Sequence, residues 1–138
     1  LLTGRRDPVH VRTVAERRRA LGRRVICLDP LRRFGEDCWN PLADRDSSDI
    51  LYLQQTALAL LPAAGGGAES EASAYFRNRA VDLIVGAMLV ALHHNQRSVA
   101  AVQVLLSDED KMIRLLKGLG SKPAALSALE LLQADPKT

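Results

Sequence analysis

Apolar and polar residues follow two different patterns along this chain. Residues 25–28, Val-Ile-Cys-Leu, form a short β-prone run that must end at Asp29-Pro30, because proline cannot donate to a sheet and restricts the residue before it. Asn40-Pro41 forces a second turn, and beyond it nearly every segment has helical periodicity. A lone strand is not stable by itself. The sequence therefore predicts a mainly α protein, a helical bundle with a short residual strand from a flanking α/β domain.

A first helix is predicted from Asp7-Pro8 to about Leu21, because proline suits the first helical turn and Gly22 suits the position after the last. The end of this helix and the residues after it are rich in arginine: Arg17, Arg18, Arg19, Arg23 and Arg24. These side chains either lie in solvent and complement the helix dipole, which is the interpretation we prefer, or contact nucleic acid.

The second predicted helix is capped by Asp46, Ser47 or Ser48 and runs through Leu61, where Pro62 ends it. Its expected apolar face consists of Ile50, Leu51, Leu53, Leu58 and Leu61. The glycine-rich segment that follows is predicted to be a flexible connector and not a phosphate loop, because no Gly-Lys-Ser/Thr follows it and no strand precedes it.

The longest predicted helix runs from about Ser73 to His93. Its first half is amphipathic, with Tyr75, Phe76 and Ala80 opposed to Arg77, Asn78 and Arg79. Residues 83–92 are apolar on every face, which indicates a central buried helix. Gly86 should allow a neighbouring helix to cross closely.

Three shorter helices are predicted after the central one. Ser98 opens the first, and Ser107 caps the second. Ser121 or Lys122 starts the last helix. Its apolar face is expected to consist of Leu126, Leu129 and Leu132.

The amino-acid composition is compatible with several kinds of binding partner and does not point to a particular one. The chain has 138 residues, of which 47% are hydrophobic and 4% aromatic, with a net charge of +3 and a pI near 9.2. The mild positive charge is compatible with a polyanion, but so few aromatics provide little surface for stacking on unpaired bases. Trp39, the single tryptophan, is expected to pin its loop to the bundle. The longest apolar run is too short to span a bilayer.

The sequence contains no constellation of catalytic residues. Ser/His/Asp and Cys/His spacings, paired carboxylates beside a histidine and a phosphate-binding lysine motif are absent. Cys27 and Cys38 lack metal-ligand spacing and are expected to be reduced thiols. His93 and His94 point about 100° apart on a helix, so we expect them to complement the dipole and not to chelate an ion. We therefore expect no catalysis, no cofactor and no metal.

The order of three stretches resembles a known family. Residues 17–22 (Arg-Arg-Arg-Ala-Leu-Gly), 25–30 (Val-Ile-Cys-Leu-Asp-Pro) and 39–42 (Trp-Asn-Pro-Leu) are similar to the type IV secretion coupling proteins, conjugative ATPases of the TraG/TraD type. Those proteins have a strand that ends in Asp-Pro and then an aromatic-Asn-Pro-Leu turn into an all-alpha domain. Residues 74–84 resemble the start of that domain's long central helix. The motif residues here are Asp29, Pro30, Asn40, Pro41 and Leu42.

The resemblance implies both a fold and a role. Residues 1–30 would be the edge of a nucleotide-binding domain, and residues 31–138 an all-alpha domain inserted in it. The full-length protein would be a hexameric ATPase anchored in the bacterial inner membrane. The all-alpha domain would lie at its cytoplasmic mouth and help to recruit relaxase–DNA or effector substrates.

The sequence departs from the family pattern in two places, and these departures limit which properties of the family can be expected of this chain. Walker A and Walker B motifs are absent, so this fragment is expected neither to bind nor to hydrolyse ATP. It is also expected to make no direct membrane contact. Asp7-Pro8-Val9-His10 stands where the family has an Asp-Pro-Lys-Gly-Glu turn, and residues 1–11 are given no functional weight.

Three hypotheses for function follow. The leading hypothesis is a docking module that receives relaxase–DNA complexes or effector proteins for translocation. The alternative is a DNA-binding helical module that contacts the transferred strand through the five arginines, with weak and non-specific affinity. The third is an inert insert that spaces the subunits of a hexamer.

Overall fold

The computed structural model describes residues 8–28, 37–62 and 70–134, and these residues form six helices. They are α1 (Pro8–Ala20), α2 (Ile50–Leu60), α3 (Glu71–His93), α4 (Val99–Leu106), α5 (Glu109–Gly118) and α6 (Pro123–Gln133). The mainly α prediction is confirmed. The chain divides into two compact units, Leu1–Trp39 and Asn40–Thr138. The parent domain to which each unit belongs stays a prediction.

The first unit contains α1 and a short extended stretch. Helix α1 ends at Ala20, and Gly22 terminates it with φ at 71°, as predicted. The amides of Gly22 and Arg23 donate to the carbonyls of Arg19 and Arg18. The strand predicted over 25–28 was too long, because in the described part of this unit only Leu28 pairs, in one parallel bridge with Asp37. A β-ladder needs a neighbouring strand along several residues, and the described residues do not provide one.

The second unit is built around α3. Every residue of 85–92 is buried, so the prediction of a central helix is confirmed. Arg77 of α3 donates to the carbonyl of Pro62, just beyond α2, at 2.8 Å. Arg97, just beyond α3, donates to the carbonyl of Arg45, just before α2, at 2.6 Å. These two contacts join opposite ends of the helices, so α2 runs antiparallel to α3.

Gly86 lies where α6 crosses α3, which confirms the predicted close approach. A Cβ atom added at Gly86 would overlap the Cβ atom of Ala128. The buried side of α6 therefore consists of Ala125 and Ala128, and the prediction that Leu126 belongs to the apolar face was wrong, since it is exposed. Small residues prevail at this crossing because larger ones would hold the two helices apart.

Two helix caps differ from the predicted ones by a few residues. The side chain of Asp49, and not one of residues 46–48, caps α2 by accepting from the Tyr52 amide. Asp108, and not Ser107, caps α5, because the Ser107 hydroxyl is used in the last turn of α4. Both errors fall where several capping residues are adjacent in sequence.

Other expectations about these helices have mixed outcomes. Ser98 caps α4, and Lys122 is the residue at which α6 starts, as predicted. The glycine-rich connector 63–68 lies outside the described residues. Among the residues that are described, no helix combines the length and apolar character needed to cross a bilayer.

Candidate functional site

The Asn-Pro-Leu motif forms the turn by which the chain enters the second unit. The Oδ1 atom of Asn40 accepts a hydrogen bond from the Leu42 amide at 3.0 Å, and the Asn40 carbonyl accepts one from the Ala43 amide at 3.3 Å. In many turns an asparagine side chain accepts a hydrogen bond from the backbone amide two residues later in the chain. Pro41 and Leu42 are both buried. The turn thus places Leu42 in the core of the helical unit.

Arg97, in the loop between α3 and α4, holds this turn in place. Its guanidinium donates to the carbonyl oxygens of Arg45 at 2.6 Å and Ala43 at 3.4 Å. The Nε atom of Arg97 donates to the side-chain oxygen of Asn95 at 3.1 Å. The main-chain carbonyl of Arg97 accepts a hydrogen bond from the side-chain Nδ2 atom of Asn40. The entry turn and the end of α3 are therefore one connected structure. Sequence reasoning missed Arg97 completely.

The first turn of α2 completes the contacts around the motif. The Tyr52 hydroxyl donates to the Pro41 carbonyl at 3.0 Å. The Arg45 guanidinium lies 3.8 Å from the centre of the Tyr52 ring and 3.5 Å from the carboxylate of Asp49. Main-chain carbonyls are the principal acceptors in this network. The motif has the character of a structural element that fixes where the helical unit begins.

A second turn follows at Asp46. Its carboxylate accepts a hydrogen bond from the Ser48 amide at 3.0 Å, which lowers the pKa of Asp46 below its ordinary value. The hydroxyl of Ser47 and the charge of Lys122 act in the same direction. Lys122 also donates to the Ser47 hydroxyl at 3.1 Å, so this turn is tied to the start of α6.

The side of α2 that faces away from the core carries no charge. This surface, the α2 outer face, consists of Leu51, Gln54, Gln55, Leu58 and Ala59. Leu51 and Leu58 are two turns apart and 67% and 40% exposed, and the helix contains no charged residue at all. Exposed helix faces normally carry charged side chains, whereas the centres of protein interfaces are depleted in them. The α2 outer face has the composition of a protein-contact surface.

The first turns of α3 present aromatic rings to solvent. Tyr75 and Phe76 are 53% and 69% exposed, and their ring centres lie 5.7 Å apart in an edge-to-face arrangement. The guanidinium of Arg79 lies 4.9 Å from the centre of the Tyr75 ring and donates to its hydroxyl. We name Tyr75, Phe76 and Arg79 the α3 aromatic turn.

The predicted amphipathicity of this segment was wrong. The aromatic rings are exposed, whereas Arg77 and Arg79 are half-buried. The buried face of α3 is set further along by Val81 and Val85, and Tyr75 and Phe76 lie on the other side of the helix. Arginine tolerates partial burial, because its stem covers apolar surface while its head group finds polar partners.

One family model matches the sequence over residues 10–119, and it describes conjugative DNA transfer by the type IV secretory system. This match covers most of the chain. The chain belongs to this conjugative DNA transfer family. No curated protein and no solved structure shows a significant match. The family match confirms the resemblance carried by the Asp-Pro and Asn-Pro-Leu motifs.

The motif residues of this conjugative DNA transfer protein are only partly described. Asn40, Pro41 and Leu42 form the entry turn, whereas Asp29 and Pro30 lie outside the described residues. Trp39, which was expected to pin the loop to the bundle, is 67% exposed. Pro41 and Leu42 are the residues of this segment that enter the core instead.

The five arginines proposed as nucleic-acid contacts lie together in sequence at the end of α1 and are all exposed. Arg17, Arg18 and Arg19 form the last turn of the helix, and Arg23 and Arg24 follow its glycine cap. Exposure at a helix C-terminus suits both a solvated face and a contact to phosphate.

Other candidate groups are not assembled into a site. Within the described ranges, no group of three or more His, Cys, Asp or Glu side chains is placed to hold a metal ion. His93 and His94 are exposed and stack edge to face, 5.2 Å apart. Cys27 and Cys38 are not joined in a disulfide.

Proposed function

We propose that this chain is a substrate-docking module of a type IV secretion coupling protein, and that it receives relaxase–DNA complexes or effector proteins through the α2 outer face. The family match supports a role in conjugative DNA transfer. The observation that carries the docking role is the uncharged outer face of α2, on a helix whose other side lies in the core.

The α2 outer face can contribute affinity by an ordinary route. Fully burying a leucine side chain stabilises a complex by about 1.5–3 kcal/mol relative to leaving it in water. Leu51 and Leu58 are on the same side of the helix, so one apolar partner surface can cover both. Because this contact is apolar, its affinity should persist at moderate salt.

In the longer protein implied by the resemblance, the module belongs to a hexameric ATPase anchored in the bacterial inner membrane. We infer that the chain itself binds no ATP, since its sequence lacks a phosphate loop and a lysine that would meet the β- and γ-phosphates. Calorimetric titration with ATP and Mg²⁺ tests this inference, and saturable binding would contradict it.

Co-purification with the relaxase and effectors of the same transfer system tests the docking role. The tagged 138-residue chain should retain at least one of these substrates, and Leu51→Asp should lose it. Val104→Asp is the matched control, because Val104 is 61% exposed and belongs to α4, not to the α2 outer face. Equal capture by both variants, or no capture by the wild-type chain, would contradict docking through α2.

The exposed arginines favour a second candidate, a weak contact to duplex DNA. If they neutralise phosphates, the logarithm of affinity falls with the logarithm of salt concentration by about 0.9 per phosphate. Charge reversal at Arg17, Arg18, Arg19, Arg23 and Arg24 should then abolish binding. We expect this affinity to be non-specific and lost near physiological salt, because a few exposed cations release few counterions.

A further inference from the structure

The two cysteines of the chain lie on either side of one backbone pairing in the first unit. Leu28 and Asp37 form a parallel bridge, so Cys27 directly precedes one bridged residue and Cys38 directly follows the other. Successive side chains of extended backbone alternate between opposite faces. The side chains of Cys27 and Cys38 should therefore share the face opposite to that of Leu28 and Asp37.

A hydrogen bond supports this arrangement. The Cys27 amide donates to the Asp37 carboxylate at 2.9 Å, which ties the two segments together on the Cys27 side of the bridge. Cys38 is exposed, whereas Cys27 is half-buried. A dissolved oxidant therefore reaches the Cys38 thiol more easily than the Cys27 thiol.

The two residues are expected to lie slightly further apart than a disulfide allows. Diagonal neighbours on paired segments are about 7–8 Å apart. The Cα atoms of two residues joined by a disulfide are usually about 4.4–6.8 Å apart, and the thiols are accordingly not joined in this structure. A small shift of backbone would close the gap. The bridge of Leu28 with Asp37 is the one pairing of this stretch within the described part of the unit, so little pairing opposes such a shift.

We propose that Cys27 and Cys38 form a reversible disulfide when glutathione disulfide accumulates. The Cys38 thiolate attacks glutathione disulfide, forms a mixed disulfide and releases one glutathione thiolate. The Cys27 thiolate then attacks the Cys38 sulfur, forms the internal disulfide and releases the second glutathione. The two cysteine thiols lose two electrons and two protons, and one glutathione disulfide is reduced to two glutathione thiols.

The internal disulfide anchors the chain just before the entry turn. Cys38 is two residues from Asn40, at which the second unit begins. A covalent link between Cys27 and Cys38 restricts the conformations open to the segment that leads into the Asn-Pro-Leu motif. Neither cysteine belongs to the α2 outer face, so the thiol pair and the docking surface can be tested separately.

The thiol pair is tested by equilibrating the 138-residue chain with mixtures of reduced and oxidised glutathione, followed by an acid quench and mass spectrometry. The wild-type chain should lose the mass of two hydrogen atoms and accumulate no glutathione adduct. Cys27→Ser cannot complete the second step, so it should accumulate one adduct on Cys38. Asp37→Ala removes the acceptor of the Cys27 amide. It should lower the effective concentration of the two thiols about 2- to 12-fold, the equivalent of one hydrogen bond.

Unfolding in urea separates placement by the fold from mere nearness in sequence. The effective concentration of the two thiols should be higher in the folded chain than in the urea-unfolded chain, and circular dichroism should show that both variants are folded. The proposal is overturned if the folded wild-type chain takes up glutathione on both cysteines, or if it forms a disulfide-linked dimer instead. Equal effective concentrations in the folded and unfolded chains would overturn it as well.

Discussion

Gly86→Ala tests the packing at the centre of the helical unit. The added methyl group would overlap the Cβ atom of Ala128, while Leu116 and Met112 atoms lie at ordinary contact distances of 3.5 and 3.6 Å. A Cβ–Cβ overlap cannot be relieved by rotating a side chain, so α3 and α6 must move apart. Overpacking of this kind lowers the free energy of unfolding by about 1–3 kcal/mol.

The helix propensity of alanine opposes this effect. Alanine in a helix interior is favoured over glycine by about 1 kcal/mol. Since the overlap involves backbone-fixed atoms, we place the packing loss in the upper part of its range, which leaves a net destabilisation of about 1–2 kcal/mol. In a unit of roughly 100 residues, each kcal/mol of destabilisation lowers the melting temperature by about 4–8 °C.

Thermal unfolding followed by circular dichroism measures the effect, with Gly118→Ala as the matched control. Gly118 ends α5 and has open space where a Cβ would lie, so alanine there should leave the melting temperature unchanged or raise it. The double variant Gly86→Ala/Ala128→Gly moves the methyl group across the interface. It should be less destabilised than the sum of its two single variants. A melting temperature raised by Gly86→Ala as much as by Gly118→Ala would refute the close crossing.

Three further outcomes are expected. Leu89→Ala, in the buried part of α3, should lower the free energy of unfolding by about 2–5 kcal/mol, measured by urea denaturation. Arg97→Ala removes the hydrogen bonds to the entry turn and should speed amide hydrogen exchange at Leu42 and Ala43. Arg114→Ala is the control and should leave the exchange rates of these two amides unchanged. The pKa of Asp46 is lowered in the folded state, so its ionised carboxylate stabilises the fold above the ordinary carboxyl pKa of about 3.9. This stabilisation is lost as the pH falls through the lower folded pKa. The melting temperature of Asp46→Asn should therefore drop less on acidification than that of the wild-type chain.

The sequence contains enough information to predict the central helix and its ends. An apolar run that covers every face has to be buried, and residues 85–92 are. The observed helix, Glu71–His93, begins two residues before the predicted start. Asn95 follows the end of the helix with φ at 57°, a left-handed conformation that asparagine adopts readily. These features depend on local chemistry, which can be inferred from neighbouring residues alone.

The faces of the shorter helices depend on packing, which the sequence pattern does not determine. On α2, leucines lie on both sides of the helix, and only the partner helices decide that Leu53 is buried and Leu51 exposed. On α6, alanines replace leucines at the buried positions because Gly86 draws the two helices together. Helical periodicity identifies candidate faces but cannot rank two apolar faces of the same helix.

The contacts around the entry turn are the part of the candidate site that could not be predicted. Asn40 and Pro41 indicate a turn by themselves, but Arg97 is more than 50 residues away from the carbonyls to which it donates. One local signal was available. Helix α3 ends at His93 and Ser98 caps α4, so only a few residues, Arg97 among them, connect the two helices. A charged side chain held in so short a loop is a candidate for a structural contact.

The docking role is tested most directly by measuring the equilibrium binding of purified relaxase to the 138-residue chain across a range of salt concentrations. The binding of duplex DNA is measured in the same way for comparison. We expect relaxase affinity to persist at the physiological ionic strength of about 0.15 M and to fall in Leu51→Asp, while duplex DNA binding is lost. A tight, salt-resistant complex with duplex DNA, and no affinity for any secreted protein of the same transfer system, would contradict the docking function and favour a DNA-binding module.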